Sequence, residues 1–141
     1  MIKYPLATST WDENELNAIQ SVVDKNMYTM GDSVLKFEKD FAQFVGSKYS
    51  VMVNSGSSAN LLAVAALFYT KNPKLKRGDE VIVPAVSWST TYYPLYQYGL
   101  KLKFVDVDLQ TLNFDLKQLE KAITDQTKMI LAVNLLGNPN D

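Results

Sequence analysis

The sequence predicts an α/β fold built on a mixed but mostly parallel sheet, preceded by a helical segment. Three observations carry this. From residue 49 onward, short runs rich in β-branched and aromatic residues alternate with stretches of helical spacing, which is the pattern of crossover units. Those short runs are nearly continuous in apolar residues, as suits strands covered on both faces. Before residue 49 the apolar residues recur only at helical spacing.

In DENELNAIQSVVDK (12–25), Leu16, Ile19, Val22 and Val23 share one helix face, and Thr10 with Glu13 has the spacing of a capping box. SVLKFEKDFAQFVG (33–46) repeats the pattern with Val34, Phe37, Phe41 and Phe44, and Gly46 stands where a helix C-terminus favours glycine. Between them NMYTMGDS is a connecting loop with an exposed Met and Tyr. The predicted strands are YSVMVN (49–54), EVIVPAV (80–86), LKFVDVD (102–108) and KMILAVNLLG (128–137). Helices are expected at ANLLAVAALFY (59–69), around STTYYPLYQYG (89–99) and at DLKQLEKAI (115–123), where Leu116, Leu119 and Ile123 are spaced for one face. KNPKLKRGDE (71–80) reads as a solvated turn into a strand. The organisation is therefore a helical segment over 1–48 and the start of an α/β sheet over 49–141.

Composition narrows the function classes. At 141 residues, 47% of them hydrophobic, the chain buries roughly 70% of its unfolded surface and forms a real core. Fourteen Lys and Arg against fifteen Asp and Glu, net −1, leave no basic excess to neutralise a nucleic-acid backbone. Without cysteine or histidine there is no disulfide, no thiolate nucleophile and neither of the usual metal ligands, so no metal is expected. No secretion signal is legible, and no run reaches the 18 or so apolar residues of a membrane span. The expectation is a cytoplasmic protein with neither nucleic-acid nor membrane partners.

Chemistry concentrates in VNSGSSANLL (53–62). Asn54, Ser55, Gly56, Ser57 and Ser58 lie at the turn into a helix that is apolar almost all round. A helix start offers unpaired N–H groups and a partial positive charge to an anion, above all phosphate. Gly56 lets backbone approach closely, and the hydroxyls of Ser57 and Ser58 add donors. The plainer alternative is that Ser55 or Ser57 only caps the helix. Neither G-x-x-x-x-G-K-[ST] nor G-x-G-x-x-G occurs, so neither of those nucleotide loops is present.

A second feature is VPAVSWSTTYYP (83–94), a strand that delivers Trp88 to the carboxyl edge of the sheet, where open α/β sheets bind ligands. Trp88 is either core or a platform for a flat ring. A phosphate cup and an aromatic platform on neighbouring strands together describe a phosphorylated aromatic cofactor.

The order YTMG, FEKDFAQFVG, NSGSSANLL, GDEVIVPAVSWSTT, KFVDVD and ILAVNLLGNP, spread from Tyr4 to Asn140, resembles the N-terminal part of the DegT/DnrJ/EryC1/StrS family of vitamin B6-dependent sugar aminotransferases. SWSTTYYP and LLGNP resemble its dehydratase branch, in particular the members that act on GDP-4-keto-6-deoxymannose in the colitose pathway of O-antigen assembly. The resemblance implies the large domain of the aspartate aminotransferase fold (fold type I), as a homodimer with active sites at the subunit boundary. It implies pyridoxal 5'-phosphate or pyridoxamine 5'-phosphate as cofactor, with Gly56, Ser57 and Ser58 at its phosphate and Trp88 on its ring. Thr29 and Met30 fall in a loop that in relatives lies near the nucleotide sugar.

The implied reaction is 3-dehydration of a nucleotide-linked 4-keto-6-deoxy sugar, with glutamate as amino donor. Nucleotide-sugar 4-amination is the alternative, and a non-catalytic phosphate-binding or oligomerisation module is a third reading from another class. The family's aspartate for the pyridine nitrogen falls beyond Asp141. So does the catalytic position, lysine in aminotransferases and histidine in dehydratases; the 141 residues alone are accordingly expected to be inactive.

Overall fold

The computed structural model describes residues 8–141. The first seven residues of the predicted helical segment 1–48, including Tyr4 where the family resemblance begins, lie outside the described residues. The chain divides after Met52 into two compact units.

The first unit holds two helices, α1 (Glu13–Asp24) and α2 (Asp32–Phe44). Both were legible from spacing, but the capping box is displaced by two residues. Asp12 caps α1, accepting from Asn14 N at 2.7 Å, while the Glu15 carboxylate accepts from Asp12 N at 2.8 Å. Thr10 and Glu13 have the same spacing, but a carboxylate is the stronger acceptor at the positive end of a helix. Gly46 does close α2: at φ +71 it donates to Gln43 O, and Ser47 N donates to Ala42 O at 2.9 Å. This paired return needs a left-handed residue, which glycine adopts without strain. The expected stripes are present, with the Phe37 and Phe41 rings stacked at 5.7 Å. Leu16, Ile19, Val23, Phe37, Phe41 and Phe44 nevertheless stay exposed.

The second unit begins with α3 (Gly56–Tyr69) and then alternates: β1 (Glu80–Pro84), α4 (Ser89–Gln97), β2 (Lys101–Val105), α5 (Leu116–Ala122), β3 (Thr127–Ile130) and a 3₁₀ turn at Leu135–Gly137. The strands form a parallel sheet in the order β2-β1-β3, as helical crossovers demand. The strand expected at 49–54 does not form; these residues run without ladder partners among the described residues, and a strand cannot persist unpaired. Burial on both faces holds fully only for β1, the middle strand, whose Val81, Ile82 and Val83 are completely enclosed. One side of the sheet packs Val81, Val83, Val64, Leu95 and Leu100; the other packs Ile82 with Val105 and Phe114. Leu75, inside the stretch read as a solvated turn, is buried in the first cluster, so that turn is solvated only around its charges.

The amino edge of the sheet is latched by side chains. Glu80 accepts from Thr127 Oγ1 at 2.8 Å and from Lys103 Nζ at 3.5 Å, and the same Nζ donates to Ala122 O at 2.7 Å, covering an unpaired carbonyl at the end of α5. The carboxyl edge is left to loops. Among the described residues no helix is long and apolar enough to cross a membrane.

Candidate cofactor site

Ser55 stands extended at φ −163 and ψ 162 and accepts from Ser58 N at 3.2 Å, so it is the N-cap of α3. The capping reading is therefore right for Ser55, and it leaves the other donors untouched. Among the described residues, the N–H groups of Gly56 and Ser57 and the Ser57 hydroxyl find no acceptor. Ser58 gives its amide to the cap and accepts from the Ser55 hydroxyl at 3.2 Å, keeping its own hydroxyl proton available. A cup of unpaired donors opens at the positive end of a 14-residue helix.

Gly56 adds a more specific observation. Nothing lies within 4 Å of the place a Cβ would occupy, and its φ is not in the left-handed range. Neither crowding nor backbone conformation calls for glycine there, and glycine is a poorer helix former than alanine. An empty space over free N–H donors is what close approach of a phosphate requires.

Trp88 sits just beyond β1, at the carboxyl end where Ala85 N still donates to Val105 O at 2.8 Å. It is 74% exposed, so these 141 residues do not bury it, and its ring stands open at the sheet edge. Its base is held firmly: Tyr92 OH donates to Pro84 O at 2.8 Å, and the Ser87 and Thr91 hydroxyls bond each other at 2.8 Å. Burial pushes the Tyr92 phenol above its ordinary value, so it stays neutral and keeps donating.

α3 and α4 are joined by a device not singled out in the sequence. Pro94 lies inside α4 and has no N–H to return to Thr90 O, four residues back. Asn60, one turn into α3, donates its Nδ2 to that freed carbonyl at 3.3 Å. Beside this bond a groove of about 240 Å³ lies between Ser57, Ser58 and Leu61 of α3 and Thr90, Tyr93 and Gln97 of α4. The available signal was the in-helix proline, which releases the carbonyl of residue 90 by simple counting.

Thr29 and Met30 belong to the other unit, in the loop between α1 and α2. Thr29 lines a cavity of about 600 Å³ with Met27, Tyr28, Asp32 and Val34; Met30 is 75% exposed and does not line it. As expected, this loop presents Met27 and Tyr28 to solvent.

The cap makes a first prediction. Ser55→Ala should lower stability by about 1 kcal/mol while leaving the free donors of Gly56 and Ser57 in place. Chemical denaturation reads the loss, and an unchanged midpoint would mean the cap bond contributes nothing.

The model of the DegT/DnrJ/EryC1/StrS aminotransferase family matches residues 9–141. A GDP-4-keto-6-deoxy-D-mannose 3-dehydratase of Yersinia pseudotuberculosis is 72% identical over all 141 residues, which span 36% of that relative. The structure of the Escherichia coli GDP-4-keto-6-deoxy-D-mannose-3-dehydratase with bound hydrated PLP superposes with a TM-score of 0.94 at 67% identity, over 99% of this chain and 36% of that one. An aminotransferase structure from Psychrobacter cryohalolentis superposes with a TM-score of 0.81 at 30% identity, over 96% of this chain and 33% of that one. The chain thus spans about a third of the length of these relatives.

Proposed function

The chain belongs to the DegT/DnrJ/EryC1/StrS aminotransferase family, and from that premise we propose that it forms the cofactor-holding part of a pyridoxamine or pyridoxal phosphate-dependent sugar 3-dehydratase. The observation that carries this reading is the presence of both a donor cup and an exposed ring: free N–H groups at Gly56 and Ser57 on α3, and Trp88 at the N-cap of α4. Those residues fit the two ends of the cofactor, phosphate and pyridine. The dehydratase branch is supported by the similarity to the Yersinia enzyme across the whole chain.

In this reading the Gly56 and Ser57 amides and the Ser57 hydroxyl hold the cofactor phosphate, and Ser58 adds its hydroxyl. Trp88 covers one face of the ring and keeps water from it. Thr29 and Met30 lie toward the nucleotide sugar. The substrate is a GDP-linked 4-keto-6-deoxymannose. When bound, the cofactor supplies an amine for the sugar ketone and a ring that takes up electrons as the 3-hydroxyl leaves. Glutamate restores the amine. Assembly as a homodimer belongs to the same reading.

Nucleotide-sugar 4-amination is the second reading, favoured by the likeness to the Psychrobacter aminotransferase. The two differ in what anchors the cofactor. A dehydratase holds it non-covalently and uses a histidine, whose pKa of about 6.5 suits a general base and which forms no imine; an aminotransferase bonds it to a lysine. Borohydride treatment of the whole protein loaded with pyridoxal phosphate should leave the intact mass unchanged. Permanent attachment at a single lysine would overturn dehydration in favour of amine transfer.

A further inference from the structure

The loops that leave the two outer strands are tied to each other through their side chains. Asn113, in the connection from β2 to α5, is 7% exposed. Its Nδ2 donates to the carbonyls of Asn138 at 3.2 Å and Pro139 at 2.6 Å, in the segment after β3. Asn138 answers with its own Nδ2 on Thr111 O at 2.7 Å. Because β1 runs between β2 and β3, this exchange joins loops belonging to opposite sides of the strand that leads to Trp88.

The orientation of the Asn113 amide is fixed, since turning it over would set its oxygen against two carbonyl oxygens. Held this way round, Oδ1 is buried without a donor among the described residues. A half-satisfied buried amide is a poor choice for stability alone, and an apolar side chain of similar size beside Phe114 would avoid the unpaired oxygen. What Asn113 contributes is the position of the chain it holds. That chain needs holding: Leu136 and Gly137 are successive left-handed residues at φ 55 and 82, a conformation that persists in leucine only where its surroundings impose it. Asn140 adds to the restraint, donating its Nδ2 to Val133 O at 2.9 Å and to Asn134 Oδ1 at 3.0 Å.

We propose that Asn113 is a positioning residue, which with Asn138 clasps the 134–140 turn at the carboxyl edge of the sheet and so makes that turn a fixed wall of the site that Trp88 borders. β1 and β3 are parallel neighbours, so the turn after β3 and Trp88 after β1 leave the same edge. Naming the ligand of that site rests on the proposed function; the clasp itself does not.

The test uses the whole protein and two variants, Asn113→Leu and Asn138→Ala, the second at an exposed position where loss of folding is not at issue. Hydrogen exchange is followed on the peptide covering 131–140, with the melting temperature and the pyridoxamine phosphate dissociation constant measured alongside. The clasp predicts exchange at 135–140 faster by about tenfold while the β1 amides stay protected, and cofactor affinity weaker by about threefold or more. Unchanged exchange at 135–140 would overturn it, as would exchange that rises throughout the molecule together with a fall in melting temperature. Faster local exchange with unaltered cofactor affinity would show that the turn is not a wall of the site. If the unsubstituted protein does not bind pyridoxamine phosphate, the functional reading fails, while the exchange comparison still decides the clasp.

Discussion

Gly56→Asp should leave the fold standing and abolish retention of pyridoxal phosphate. The two effects separate because they act on different partners. For the helix, aspartate at the first position of α3 is an improvement: it replaces the poorest helix former short of proline and puts a negative charge at the positive end, worth about 0.3–1 kcal/mol. The space it enters is open, with no atom within 4 Å of the new Cβ, so no clash offsets the gain. For a phosphate dianion the same carboxylate is a like charge in the cup, and juxtaposed like charges cost several kcal/mol. With each 1.4 kcal/mol a factor of ten, cofactor affinity should fall by on the order of a hundredfold or more. Titration of the whole protein with pyridoxal phosphate, followed by absorbance, measures this, and chemical denaturation checks the fold. Gly56→Ala should lie between the two, since its methyl fills part of the space without the charge. A Gly56→Asp protein that binds the cofactor as tightly as before would show that the phosphate lies elsewhere and that glycine at this position is incidental.

The contrast with the other glycines explains why this position was readable. Gly46, Gly78, Gly99 and Gly137 all have positive φ, so their backbones account for them, and at Gly31 a Cβ would crowd Met27 Cγ at 3.0 Å. Gly56 has no such excuse, and its place in NSGSS at a helix start pointed to a ligand before any coordinates did. The helices of the first unit were legible for an equally local reason, a stripe every three to four residues. Where several residues offered the same chemistry, the sequence was ambiguous: Thr10 with Glu13 and Asp12 with Glu15 share one spacing, and only the charge of the carboxylate decides between them. Residues 49–54 failed differently. Their β-branched and aromatic content is that of a strand, but a strand is defined by its neighbour, and pairing is not a property of six residues. Trp88 was undecidable for a similar reason, since whether a ring is core or platform depends on what covers it. Asn60 and Asn113 were invisible because their partners are backbone carbonyls 30 and 25 or more residues away, and a carbonyl leaves no mark in a sequence. Pro94 is the exception that could have been used, because a proline in a helix names the carbonyl it frees.

Trp88→Ala should weaken cofactor retention by about tenfold and leave folding largely intact. A side chain that is 74% exposed removes little buried area when truncated, and nothing in the two core clusters leans on it. What it can lose is stacking, worth roughly 0.5–1.5 kcal/mol beyond area burial, together with the apolar area a bound ring would cover. Trp88→Phe keeps a flat face and should recover most of the affinity. The substitution also separates the two halves of the site, because inorganic phosphate can occupy the cup but has no ring to stack. In Trp88→Ala, inorganic phosphate should compete for the cup with its affinity unaltered while pyridoxamine phosphate weakens; in Gly56→Asp both should be lost. Equal weakening of both ligands by Trp88→Ala would mean that the side chain supports the cup and not the ring. A variant that unfolds, with its soluble fraction binding cofactor normally, would return Trp88 to a structural role.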